Sequence, residues 1–177
     1  MSPPPGVHYF EARLSWTGAS AAGSPSVASE AGRTDGTHFT RVVIPGGGRE
    51  FRGDVAGKPS LFLSAAPEYR GDASRHNPED LLVLSLATCH ALAYLSLCAK
   101  CRLEVKSYED HPLGELKKHD GAIRFTKVTL RPRVVFAPGA DLARAEALHA
   151  DARRFCFIAN SVAFPVEHVP ELSVEAP

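Results

Sequence analysis

Four cysteines occur in this chain, and their neighbours differ. Cys89 lies in a long apolar run, Cys98 and Cys101 form a Cys-x-x-Cys further along it, and Cys156 follows Arg153-Arg154-Phe155. A thiol set in an apolar helix, with a second cysteine remote in sequence that folding could bring near, is the arrangement of a reactive cysteine resolved by another. The two guanidinium groups before Cys156 favour a thiolate there if they face the sulfur; otherwise they complement the negative end of their own helix. The plain alternative for Cys89 is a small apolar filler in a packed core. The Cys98/Cys101 spacing also serves zinc sites and redox dithiols. A structural zinc site needs a second matching pair, however, and a redox pair belongs at a helix start, whereas this one falls near a helix end. His90 and His149 stand at no recognised ligand spacing from the thiols and read as core or surface histidines.

Among the acids Glu79 matters most. It belongs to Asn77-Pro78-Glu79-Asp80, with Asn as the expected N-cap, Pro at the first helical position and two acids facing the positive end of the helix dipole. That placement alone accounts for an ordinary first-turn carboxylate. Ten residues along a straight helix span about 15 Å. Glu79 therefore does not easily touch Cys89 of the same chain, and cooperation between them calls for a bent helix or a second subunit.

The elements that must carry these side chains are legible in outline. Alternation from His8 to Trp16 predicts a strand, and the Gly/Ala/Ser-rich stretch 17–36 predicts a loop or irregular connection. His38 to Ile44, Pro45-Gly46-Gly47-Gly48 and Glu50 to Val55 predict a hairpin or meander. From Leu81 to Cys101 the chain is apolar nearly all round, which predicts a central helix buried on most sides. Leu103 to Tyr108 and Ile123 to Phe136 predict strands, the latter with an edge or bulge at Pro132. Asp141 to Phe157 predicts an amphipathic helix, and Val162 to Val174 a short strand or coil. Strands, helix, strands, helix and tail make an α+β order.

The chain has 177 residues, which suits a single domain over 1–177. Twenty basic and twenty acidic residues cancel, so nothing marks a nucleic-acid partner or an anionic membrane surface. No stretch reaches about 18 uninterrupted apolar residues. The N-terminal Met-Ser-Pro-Pro-Pro-Gly has no signal-peptide regions, so a soluble, cytoplasmic protein is expected. In a reducing compartment four cysteines read as reactive, metal-binding or buried thiols before they read as a disulfide scaffold.

Asn77-Pro78-Glu79-Asp80-Leu81-Leu82, Ala87-Thr88-Cys89-His90 and Cys156-Phe157-Ile158-Ala159-Asn160-Ser161-Val162 together resemble the OsmC/Ohr proteins of bacterial peroxide defence. Tyr108-Glu109-Asp110 and Val128-Thr129-Leu130-Arg131-Pro132 match more weakly. Cys89-His90 and the Ile-Ala-Asn-Ser run look more like the OsmC-like branch than the Ohr branch. The resemblance implies an OsmC-like fold of antiparallel sheets with two long central helices, in an intertwined homodimer with active sites at the subunit interface. It also implies a thiol peroxidase without metal or organic cofactor. In that family the cysteine matching Cys89 attacks the peroxide, the one matching Cys156 resolves the sulfenic acid, and the glutamate matching Glu79 pairs with an N-terminal arginine. Arg33 is the choice for that arginine, with Arg41 and Arg13 behind it. An external dithiol would complete the cycle, and an apolar wall from Leu82, Leu86, Phe155 and Phe157 would suit organic hydroperoxides. Two rival readings stand beside this one. The first is a non-catalytic small-molecule or lipid binder whose thiols are core residues, and the second is a zinc protein using Cys98 and Cys101.

Overall fold

The structure, a computed structural model, describes residues 13–15 and 49–176. The chain divides into two compact units, Met1–Pro78 and Glu79–Pro177.

In the first unit three short strands, β1 (Arg13–Ser15), β2 (Phe51–Asp54) and β3 (Leu61–Leu63), form an antiparallel sheet with β2 in the middle. The expected partner for β2, residues 38–44, lies outside the described residues, as does the 17–36 connection. A single 3-10 turn, Pro67–Tyr69, ends at Arg70 in the left-handed region, with φ 63°. Gly71 follows it against the backbone of Ala65, where an added Cβ would fall 1.6 Å from the carbonyl oxygen. Arg75 closes the unit's polar edge, bonding Asp72 at 3.1 Å and lying 3.4 Å from Glu50 and 5.8 Å over the ring of Phe62.

The second unit is built on helix α1 (Pro78–Lys100), which begins at the proline predicted to start it. Strands β4 (Val105–Asp110), β5 (Leu113–His119), β6 (Ala122–Leu130) and β7 (Pro132–Phe136) precede helix α2 (Leu142–Phe155), and β8 (Val166–His168) and β9 (Glu171–Val174) end the chain. They make two three-stranded sheets, β4-β7-β9 and β5-β6-β8. The β4/β7 and β5/β6 pairs are antiparallel, and β8 and β9 add parallel to β6 and β7. The α+β class holds, with these two parallel pairs added to the antiparallel ones.

Pro132 produces neither an edge nor a bulge in one long strand. It ends the strand and starts another in a different sheet, where its missing N–H costs nothing because it is the first residue of β7. Arg131, between the two, donates its N–H to Asp110 Oδ1 at 2.7 Å. Strand β5 had no counterpart in the sequence reading. It joins β6 through Asp120-Gly121, whose φ values of 50° and 81° are those of the tight turn favoured by Asp-Gly in hairpins.

Two apolar clusters share α1. Tyr94 and Cys98 meet Val134 and Phe136 of β7 and Ala145, Leu148 and Ala152 of α2. About two to three turns earlier, Leu86 and Ala87 meet Val128 and Leu130 of β6 and Val166 of β8. Each fully buried Leu, Val or Phe contributes about 1.5–3 kcal/mol. In length and composition α1 could cross a membrane, with mean hydropathy 1.9 over its most apolar window, yet it is the helix on which both clusters are assembled. Contrary to the expected burial on most sides, it leaves an apolar stripe open: Leu84 is 56% and Leu92 67% exposed, with Thr88 exposed between them.

Candidate active site

Side-chain bonds fix how α1 meets α2. The Tyr94 hydroxyl donates to the Ala145 carbonyl at 3.1 Å, and His90 Nε2 lies 3.0 Å from His149 Nδ1. Four residues forward on α1 correspond to four residues back on α2, so the helices run in opposite directions along this contact. Cys89 adjoins His90 on α1 and Cys156 caps α2 seven residues beyond His149, so both thiols lie toward the same end of this helix contact, and Phe155 and Phe157, on either side of Cys156, line one cavity with Cys89. Cys89 is near enough to Cys156 to help hold the proton on its thiol.

The two sulfurs have unlike surroundings. Cys156 caps the C-terminus of α2 at 1% exposure, and its Sγ accepts the Ala159 N–H at 3.4 Å. Burial pushes this thiol up to about 11, opposed by the N–H groups of Ala159 and Ile158 and reinforced by Cys89. Arg153 and Arg154 do not face it. Arg153 acts on His168, Arg154 lies 4.0 Å from Asp151, and neither is among the influences on the thiol.

Cys89 is half-buried in the wall of a cavity of about 360 Å³, with Leu92, Ala93, Leu97, Phe155 and Phe157 as the apolar lining and Ser96 and Lys100 as its polar members. Phe155 and Phe157 thus fall where the apolar wall was expected. Leu86 does not: it is fully buried in the cluster beneath β6, because α1 turns it away from the face that carries Cys89 and Leu92. The next two turns of α1 supply the wall in its place, and Leu82 packs at the margin of that same buried cluster.

Glu79 sits half-buried in the first turn of α1, and its Oε2 is buried with no hydrogen-bond partner among the described residues. A carboxylate oxygen in that condition is costly unless a donor reaches it. Arg33 and Arg41 lie outside the described residues, and Arg13 is exposed in β1 of the other unit. Cys98 is buried beside the Tyr94 hydroxyl, and burial holds its thiol above the usual range. Cys101 lies 3.8 Å from Arg144 Nη2. Among the described residues no group of three or more His, Cys, Asp or Glu side chains is arranged to hold a metal ion.

A row of three imidazoles is the feature that sequence reasoning missed. His168 Nε2 of β8 lies 3.1 Å from His90 Nδ1, and His90 in turn meets His149. His90 is fully buried, His149 is 3% exposed, and the ring of Tyr94 stacks on His149 at 3.8 Å between centroids. Burial, with the neighbouring rings, depresses His90 to about 3 and His149 to about 4, so both are neutral. Three histidines 59 and 19 residues apart carry no local spacing signal. Only the placing of His90 on the inner face of α1, four residues before Tyr94, pointed toward the core.

The family model for OsmC-like proteins matches residues 71–170, a span that holds Glu79, Cys89 and Cys156. The chain belongs to the OsmC-like family. It is 30% identical to an OsmC-like protein of unknown function from Vibrio cholerae O1 biovar eltor, whose solved structure superposes with a TM-score of 0.74 over 93% of this chain and 99% of that one. The uncharacterized protein YmaD of Bacillus subtilis (strain 168) is 25% identical over 140 residues, 77% of this chain and 93% of that protein. An organic hydroperoxide resistance protein from Legionella pneumophila shares the fold at 24% identity and a TM-score of 0.54, over 73% of this chain and 92% of that one.

Proposed function

We propose that this OsmC-like protein is a cytoplasmic thiol peroxidase that reduces organic hydroperoxides in oxidative stress defence. The observation that carries the reading is the nearness of a half-buried thiol in an apolar cavity, Cys89, to a buried thiol held protonated, Cys156, whose flanking Phe155 and Phe157 line the same cavity. The Cys89 thiolate attacks the distal peroxide oxygen, the O–O bond breaks, and the alkoxide leaves with a proton as alcohol. Cys89 is then a sulfenic acid. Cys156 attacks its sulfur, the S–O bond breaks, water leaves, and a Cys89–Cys156 disulfide remains. Two thiols have been oxidised by two electrons and the peroxide reduced by two. An external dithiol returns both thiols by exchange.

The cavity's apolar lining favours a hydroperoxide with an alkyl or aryl body over hydrogen peroxide, since apolar groups are driven out of water. Glu79 holds the guanidinium of Arg33, which stabilises the thiolate and orients the peroxide. The unpartnered Glu79 Oε2 supports a cation arriving there. The open apolar stripe of α1 supports an intertwined homodimer with the site at its interface. The test is thiol titration before and after a pulse of cumene hydroperoxide. Two thiols per chain should be lost, and Cys89→Ser should lose none. An unchanged thiol count in the native chain would leave the protein a binder with structural cysteines.

A further inference from the structure

Three histidines on three elements form one hydrogen-bonded row, His168 on β8, His90 on α1 and His149 on α2, with N···N distances of 3.1 and 3.0 Å. His90 immediately follows Cys89, and His149 stands two turns before Cys156. The His90 and His149 rings meet edge to edge, tilted by only 13°. Packing alone does not require imidazoles here. Apolar side chains would fill the space without the desolvation that buried polar rings incur, and a buried polar row is costly unless its members keep their partners. What such a row adds is intolerance of displacement. Sliding α2 by one residue moves it about 1.5 Å along α1, enough to break a 3.0 Å hydrogen bond and leave two buried nitrogens without partners.

We propose that the His168–His90–His149 row is a positioning device that holds α1 and α2 in the register at which Cys89 and Cys156 can join. The inference rests on the thiol-pair reading above and adds the residues that set its geometry. A disulfide needs Cα atoms within about 7 Å and a narrow dihedral range, so the effective concentration of one thiol at the other depends steeply on helix register. His90 and His149 touch no reacting atom. They act through the helices that carry the thiols, with the Tyr94–Ala145 bond as a second rung one turn further along.

The test reads the disulfide itself. Native chain is equilibrated with glutathione and glutathione disulfide at pH 7, where Cys89-SH, Cys156-SH and GSSG yield the internal disulfide and two GSH, and peptide mass mapping quantifies the Cys89–Cys156 bond. His149→Leu should lower the equilibrium constant about tenfold, a shift of about 30 mV toward easier reduction. His149→Asn, whose amide occupies the position of Nδ1, should recover most of the loss. Val134→Ala, a truncation on β7 in the cluster it shares with Tyr94 and Leu148, removes apolar packing but no imidazole, and should lower the melting temperature without moving the constant. Should His149→Leu fail to fold, His168→Leu at the half-buried end should show the same shift in smaller measure.

A constant that moves no more in the histidine variants than in Val134→Ala overturns the proposal. Hydroperoxide consumption is measured separately. A histidine-dependent disulfide in a chain that consumes no hydroperoxide keeps the positioning role and ends the peroxidase reading, whereas consumption with a histidine-indifferent disulfide does the reverse.

Discussion

Lowering the pH should unfold this protein through its histidines before its carboxylates titrate. His90 and His149 are held neutral by burial, at about 3 and about 4 against 6.5 for an exposed imidazole. Their stabilising contribution is complete above pH 6.5. It is lost as pH falls, because the unfolded chain takes up protons there and the folded chain does not. Each group removes about 1.4 kcal/mol per pH unit in that window. Two groups give a slope of about 2.7 kcal/mol per unit and a loss of about 5 kcal/mol by pH 4.5, against a usual total of about 5–15 kcal/mol. His168, also depressed by burial and by Arg153, adds in the same direction. Asp110, raised by burial, opposes them as one group against three. The carboxylates held low by hydrogen bonds, Asp54, Asp72 and Glu115, lose their contribution only below about pH 4.5, outside the window. Urea unfolding followed by far-UV circular dichroism from pH 7.5 to 4.5 measures the slope directly. His149→Leu should flatten it by about 1.4 kcal/mol per unit whatever it does to stability at pH 7.5. A native slope below about 1 kcal/mol per unit, or one that His149→Leu leaves intact, would show that these rings do not remain neutral in the fold.

Cys156, pushed up to about 11, is thiolate in about one molecule in a thousand at pH 8. Iodoacetamide should therefore alkylate Cys89 well ahead of it; mass mapping that finds Cys156 modified first would reverse the assigned order of the thiols. Gly114 of β5 presses against α1 and β6, and an added Cβ would lie 2.6 Å from Phe125 Cε1 and 2.7 Å from Val83 Cγ2. Gly114→Ala should cost about 1–3 kcal/mol in urea unfolding, and a change within about 0.5 kcal/mol would mean that both side chains yield freely.

What could be read from the sequence was whatever local chemistry dictates. The Pro78 start of α1 and the apolar periodicity of both helices each act within a turn or two, so residues 78–100 and 142–155 lay within a few residues of where they were expected. Strand pairing is settled by partners far away, and the reading weakened there. Pro132 was recognised as a disruption, but nothing local says that the strand beyond it joins another sheet between β4 and β9. The Asp120-Gly121 turn was a usable signal that went unread, and with it β5. Periodicity overstated the burial of α1. A helix apolar on every side fits a buried position and a helix with an open apolar stripe equally well, and only the neighbours of Leu84 and Leu92 distinguish them.

The thiol pair shows the same division between local and distant causes. Sequence placed Cys89 in a helix and Cys156 at the end of another, and it attributed any activation of Cys156 to Arg153 and Arg154. In the fold neither guanidinium is among the influences on that thiol, and the dominant one is the exclusion of water. Exclusion acts in the opposite sense to a guanidinium, because it holds the proton on the sulfur. A protonated thiol is a poor first nucleophile and is preserved from direct oxidation. It becomes useful once its neighbour carries an electrophilic sulfur within reach. Cys89 has the complementary environment: it opens on a cavity that admits a molecule, lined also by the two phenylalanines that flank the buried thiol. The division of labour proposed for the two cysteines thus follows from how much water each one meets. Exchanging the two environments would exchange the roles.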